Sequence, residues 1–193
     1  MIHKEPFLIT IISIDIDIGS LVSDCLRIVD RYKSENHGAA LREAYSIVLT
    51  QNPDIEETRG NLITYNDIHN TQYFDRRNQA TLQSPYYGTS LDDLVKRLPF
   101  PFSIIRLSIL PPSTIIAMHT DAACHAQLAI TTDRDCFVAA RSGETKHVPV
   151  DSQLYVFSTT LPHTAFNASS IERIHLSISI FDDDYIKLIK SAI

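Results

Sequence analysis

From Phe102 onward the sequence is a succession of short β-rich runs divided by turn residues. The runs are Ser103–Leu110, Thr114–Met118, Ala126–Thr131, Cys136–Ala140, Lys146–Val148, Gln153–Phe157 and Arg173–Phe181. Between them stand Pro111-Pro112, Asp133-Arg134-Asp135, Ser142-Gly143, Val150-Asp151-Ser152 and Asn167-Ala168-Ser169-Ser170. Many short strands at such spacing bury their apolar faces by closing into a sandwich or barrel. The C-terminal half is therefore expected to be all-β.

The N-terminal half is mixed. Phe7–Ile14 is apolar, and Ile9, Ile11, Ile12 and Ile14 are β-branched, which predicts a strand. The run is too short to span a bilayer. Asp15 and Asp17 follow it with no small-residue cleavage site, so it does not read as a secretion signal. A cytoplasmic chain is expected. Leu21, Cys25, Ile28, Val29 and Tyr32 have helical spacing over Ser20–Tyr32, with Gly19-Ser20 to cap the start. After the Asn36-His37-Gly38 break, Ala39–Leu49 predicts a second helix, ended by Asn52-Pro53-Asp54. Asn61–Tyr65 is a short strand. Tyr73–Arg77 and Tyr86–Gly88 form loop, either covering a site or simply solvated. Leu91–Leu98 is a short helix stopped by Pro99 and Pro101, and Tyr185–Ile193 is an amphipathic tail.

A length of 193 residues fits one domain, residues 1–193. In it a mixed α/β part, about 1–100, packs on a core of about 102–181. The net charge of −6 argues against a nucleic-acid binder, which carries a basic footprint. Cys25, Cys124 and Cys136 form no C-x-x-C pair, so neither a disulfide framework nor a structural zinc site is expected. No membrane partner is expected, and oligomeric state is left open.

The chemistry lies in Met118-His119-Thr120-Asp121. Along a strand, residues i and i+2 point to one face, so His119 and Asp121 can converge on one ion. His163, in Leu161–Asn167, is the candidate third ligand. Two histidines and one carboxylate leave open positions on an octahedral metal, an arrangement suited to non-haem Fe(II). A 2-oxo acid can chelate there and leave a position for O₂. The far carboxylate of 2-oxoglutarate then needs a cation, and arginine's planar fork supplies one. Arg173 opens a strand in which Arg173, His175, Ser177 and Ser179 share one face. Ile174, Leu176, Ile178 and Ile180 share the other. Each residue also has a bland reading: a chance H-x-D, a loop histidine, a surface arginine paired with Glu172 or Asp182. Their joint order favours the site.

The sequence resembles the aspartyl/asparaginyl β-hydroxylase branch of the 2-oxoglutarate oxygenases, which includes small bacterial proline hydroxylases. The resemblance runs from about Arg106 to Phe181. It is carried by Arg106–Asp121, Gln127–Ile130, Gln153–Phe157, His163–Asn167 and Arg173–Leu176. It implies a mainly β fold with flanking α-helices, the core being a double-stranded β-helix (jelly-roll, cupin-like) barrel. It implies Fe(II) on His119, Asp121 and His163, with 2-oxoglutarate on Arg173 and Ser108. Ser177 shares Arg173's face and is placed with the co-substrate residues. Gln127 falls at a further co-substrate position and His125 at a substrate position. Pro112-Ser113 replaces the family's usual Pro-Gly turn, which fits if no positive φ is required there. Asn167 is read as a turn residue rather than a support for His163, and Cys124 as a buried thiol.

The implied activity is Fe(II)- and 2-oxoglutarate-dependent hydroxylation of an unactivated C–H bond, with O₂ consumed and succinate and CO₂ formed. The substrate expected is an amino acid, free or within a peptide. Arg76, Arg77, Arg106, Arg141 and His125 are candidates to bind its carboxylate, Arg106 because it shares strand parity with Ser108. Two alternatives stand: a cupin-type metalloenzyme that does not use 2-oxoglutarate, and a non-catalytic β-barrel binding module.

Overall fold

The computed structural model describes residues 7–35, 44–51, 62–64 and 81–180. The elements run β1 (Leu8–Ser13), α1 (Ile18–Glu35), β2 (Tyr45–Val48), β3 (Thr50–Gln51), β4 (Leu62–Thr64) and β5 (Thr81–Leu82), then α2 (Ser90–Arg97). The β-rich half follows as β6 (Ile105–Leu110), β7 (Thr114–Ile115), β8 (Cys124–Thr131), β9 (Cys136–Ala140), β10 (Thr145–Lys146), β11 (Gln153–Phe157), β12 (His163–Asn167) and β13 (Arg173–Ile180).

From β6 onward the chain passes back and forth between two sheets. The larger has the order β1-β11-β8-β13-β6-β2-β4, the smaller β10-β9-β12-β7. Strands β6 to β13 thus form the expected jelly roll, and β1, β2 and β4 extend the larger sheet. No strand pairing joins the two sheets among the described residues, so the jelly roll is an open sandwich rather than a closed barrel.

Strand β13 shows what divides the fold. All eight of its residues are buried, against β6 on one side and β8 on the other. Its Ile174, Leu176, Ile178 and Ile180 face outward into the main core. Leu21, Cys25, Val29 and Tyr32 of α1 and Leu91 and Leu94 of α2 meet them there. Each such side chain contributes about 1.5–3 kcal/mol of burial. A smaller cluster lies between the sheets: Ala129, Tyr155 and Phe157 of the larger pack with Val138 and Ala140 of the smaller, and with Phe7 and Val148. The rest of the inner face is polar, and that is where the site lies.

Several sequence expectations are corrected. The described part of the predicted helix 39–49 is strand β2, paired with both β4 and β6. Tyr45, Ile47 and Val48 suit a pleated, buried surface, and the distant β6 partner decides the outcome over local spacing. Residues 39–43 lie outside the described residues, as do Tyr73–Arg77 and the tail 185–193. Helix α1 begins earlier than expected and is capped by Asp17, not Gly19-Ser20. Asp17 Oδ1 accepts from the backbone N–H of Gly19 at 3.0 Å and of Ser20 at 3.2 Å. In α2, Asp92 and Asp93 in the first turn and Lys96 and Arg97 in the last complement the helix dipole. Strand β12 was not among the expected runs, and β7 is shorter than Thr114–Met118. Ser113 adopts φ of 55°, so the turn before His119 does require the positive φ that glycine would supply freely. Among the described residues no helix is long and apolar enough to cross a membrane.

Candidate metal centre and anion-binding face

His119 and His163 are joined through their backbones. Each N–H donates to the other's carbonyl, at 2.9 and 2.8 Å, an isolated antiparallel bridge beyond the end of β7. Asp121 is not in a regular strand. Its N–H donates to Thr159 O at 2.8 Å, which continues the extended course and keeps the i, i+2 parity. Ligand atoms of His119, Asp121 and His163 all lie within 4.8 Å of one another. His119 Nε2 is 3.5 Å from Asp121 Oδ1, and His163 Nε2 is 3.4 Å from Asp121 Oδ2.

The outer nitrogens fix how the two rings are oriented. His119 Nδ1 is 2.9 Å from Ala117 O and His163 Nδ1 is 3.0 Å from Leu161 O. A carbonyl accepts, so each Nδ1 carries a proton and each Nε2 points inward toward Asp121. Outer contacts of this kind fix the tautomer and ring orientation of metal-binding histidines. Phe7 packs against the His163 ring, centroids 5.9 Å apart. For Asp121, burial alone would raise the carboxyl pKa. The His125, His119 and His163 rings outweigh burial and hold it charged well below the usual carboxylate range. For His119, burial would lower the pKa, and Asp121 with the Ala117 carbonyl outweigh it, so the net shift is upward. The donor set, two imidazole nitrogens and one anionic oxygen converging within 4.8 Å of one another, fits a divalent metal of the Fe(II) type.

The polar face of β13 continues away from this cluster. Arg173 Nη2 lies 2.9 Å from His175 Nδ1 and 3.4 Å from Gln127 Oε1. Arginine can only donate, so His175 meets it as a neutral ring; the same Nδ1 lies 3.0 Å from Gln127 Oε1, and the guanidinium, imidazole and amide form one contact cluster. Burial, with Arg173 and His147 nearby, holds the His175 pKa well below its usual value, consistent with that neutral ring. Arg173 is 3% exposed, and its Nε has no hydrogen-bond partner; His175 Nε2 is buried without one too. No carboxylate among the described residues forms an ion pair with Arg173. Burial lowers its pKa to about 10, and it stays charged at neutral pH. A buried cation left without an anion is costly unless something outside the chain pairs with it.

The other sequence-selected residues fall on the same inner face. Arg106 lies opposite Ser177 on β13, and Ser177 is opposite Gln127 on β8; Ser108 is opposite His175. Arg106, Ser108, Gln127, His119 and Asp121 are partly exposed, so solvent reaches this face, while Ser177 is buried. Arg106 Nε is a second buried guanidinium nitrogen without a partner. Burial lowers the Arg106 pKa, with Asp121 opposing. His125 is buried with Nδ1 3.1 Å from Asp121 Oδ2, so the structure places it against a ligand. Arg141 is exposed, and Arg76 and Arg77 lie outside the described residues. Cys124 is buried. Asn167 Nδ2 donates to the carbonyls of Leu110, Pro111 and Ile171, at 2.9, 3.1 and 2.7 Å, and so ties the turns at that end of the jelly roll.

Sequence reasoning missed two features: the contact of His175 with Arg173, and the Asp121–His125 contact. His175 shares strand parity with Arg173, a usable signal. The second arises where the chain folds back over Ala122–Cys124, and no sequence period marks it. A large acidic cleft between α1 and α2, lined by Asp15, Asp17, Asp24, Asp93, Arg27 and Arg97, lies across the main core from the cluster.

The jelly roll thus carries on its inner face a His-x-Asp…His cluster that could hold a metal ion, with a buried arginine beyond it. The family profile described as Aspartyl/Asparaginyl beta-hydroxylase matches residues 32–182, and the chain belongs to that family. No curated protein matches significantly. Among solved structures, an oxidoreductase of the 2OG-Fe(II) oxygenase family from Burkholderia pseudomallei is 14% identical, covering 80% of this chain and 76% of its own, with a TM-score of 0.40. A prolyl-4-hydroxylase from Pseudomonas putida is 19% identical over 47% of this chain and 61% of its own, TM-score 0.33. A cupin domain from Bordetella pertussis Tohama I is 18% identical over 40% and 79%, TM-score 0.35.

Proposed function

We propose that this chain is an Fe(II)- and 2-oxoglutarate-dependent hydroxylase acting on an unactivated C–H bond of an amino acid, free or within a peptide. The observation that carries the reading is Arg173. It is a buried guanidinium with no carboxylate partner among the described residues, on the inner face that also holds the His119–Asp121–His163 cluster.

His119, Asp121 and His163 would hold the iron, and their Nδ1 contacts keep both imidazoles aimed inward. Bound iron with 2-oxoglutarate and O₂ would supply the oxidising power for C–H hydroxylation, with succinate and CO₂ as co-products. Arg173 would grip the far carboxylate of 2-oxoglutarate, with His175 and Gln127 holding the guanidinium and Ser108 and Ser177 lining the same face. Arg106, which remains partly accessible, offers a second cation for a carboxylate of the substrate. Phe7, Tyr155 and Phe157 pack between the sheets, with Phe7 against His163, and would keep water from that side of the cluster.

The test is succinate formation from 2-oxoglutarate by the full chain loaded with Fe(II), screened against free amino acids and short peptides. Stimulation of succinate release by a member of that panel, lost in Arg173→Met, supports the reading. A folded, iron-loaded chain that turns over no 2-oxoglutarate with any of them contradicts it.

A further inference from the structure

We propose that His125 is a positioning residue for the metal centre, donating its Nδ1–H to Asp121 Oδ2 and so fixing the carboxylate with one oxygen toward each ligand histidine. The inference rests on the reading of His119, Asp121 and His163 as metal ligands.

The contact is 3.1 Å, and a carboxylate only accepts, so the imidazole must be the donor through Nδ1. His125 itself is not in the cluster whose ligand atoms lie within 4.8 Å of one another, so it touches the carboxylate without joining the ligand set. With Oδ2 met by His125, the carboxylate presents Oδ1 to His119 at 3.5 Å and Oδ2 to His163 at 3.4 Å.

The arrangement is built rather than incidental. His125 is 5% exposed and sits within β8, opposite Phe157 on one side and Ser179 on the other. Its backbone is therefore held from two directions. Asp121 is four residues earlier, and no helix brings the two together. The bend between them is pinned by Thr159, whose carbonyl accepts from Asp121 N–H at 2.8 Å and whose Oγ1 donates to Ala123 O at 2.6 Å. The other two ligands each have an outer partner, Ala117 O for His119 and Leu161 O for His163. His125 completes the set for the carboxylate. An unheld carboxylate turns about its last torsion and must be ordered when metal binds; a held one is already in place.

The test uses the full chain and Co(II) alone, titrated by its d–d absorption, with circular dichroism to verify folding. His125→Ala is expected to weaken Co(II) binding by roughly 10–100-fold and to alter the band pattern. His125→Asn places an amide N–H where Nδ1 was and is expected to recover most of the affinity, whereas His125→Leu, of similar bulk without a donor, is not. If His125→Ala does not fold, the Asn and Leu variants carry the comparison. His125→Ala binding Co(II) like the wild type overturns the proposal. So does His125→Asn binding as weakly as His125→Leu, which would make the imidazole itself a ligand. Asp121→Ala separates this proposal from the metal reading beneath it: if it binds as tightly as the wild type, the ligand assignment fails, and the role of His125 with it.

Discussion

Replacing Arg173 with methionine should separate stability from co-substrate binding. The wild-type guanidinium is buried, and loss of solvent lowers its pKa well below the usual arginine value, to about 10. A displacement of that size corresponds to about 3 kcal/mol of penalty on the charged folded form. A base with a lowered folded pKa carries that penalty in full below about pH 10 and sheds it only as pH rises through that value, so all of it is present at neutral pH. Methionine removes the charge and keeps much of the volume. It also removes the guanidinium from His175 Nδ1, leaving that atom only Gln127, which costs about 1–3 kcal/mol. The apo variant should therefore be as stable as the wild type or more stable by up to about 2 kcal/mol, in line with buried ions replaced by apolar side chains. Co-substrate binding should move the other way. Two charge-assisted hydrogen bonds at about 1.5–3 kcal/mol each are lost, weakening 2-oxoglutarate by roughly 10²–10⁴-fold. The assays are thermal unfolding of the apo chain and isothermal titration of 2-oxoglutarate into the Mn(II) form. Wild-type affinity in the variant, or destabilisation well beyond 1 kcal/mol, would refute the reasoning.

Other expectations follow from the same physics. His175 is neutral in the folded chain and regains a pKa near 6.5 on unfolding, so stability should fall as pH drops below 6.5, by about 1.4 kcal/mol per pH unit for this ring; His175→Asn should flatten the melting-temperature profile between pH 6.5 and 5. Ser113→Gly relieves a left-handed backbone that costs a side-chain-bearing residue about 1–2 kcal/mol and should raise the melting temperature; a lower one would show that the turn needs the serine itself. Leu176→Ala opens a cavity under α1 and α2 and should cost about 2–5 kcal/mol in denaturant titrations.

How much of this was legible in the sequence depended on the range of the interaction. The jelly roll could be read because its strands carry their own alternation. Ile174, Leu176, Ile178 and Ile180 declare one face of β13, and the polar residues between them declare the other. His119 and Asp121 could be paired because i, i+2 parity survives even where the strand is irregular. Strand β2 was hidden because Tyr45–Val48 becomes a strand through partners in β4 and β6 that no local window contains. Strand β12 was hidden because His163-Thr164-Ala165-Phe166-Asn167 lacks β-branched density, and because its pairing with β9 and β7 supplies what its composition does not. The His125 contact was invisible for the same reason: it depends on a bend held by Thr159, distant in sequence.

The central claim is that the inner face of the jelly roll binds Fe(II) and 2-oxoglutarate together. Anaerobic addition of 2-oxoglutarate to the Fe(II)-loaded chain tests it directly through the weak visible metal-to-ligand charge-transfer band of the chelate. The band should appear with the wild type, and at the same co-substrate concentration be absent with Asp121→Ala and Arg173→Met. A folded chain with verified iron that gives no band, or a band that Arg173→Met leaves unchanged, would contradict the account.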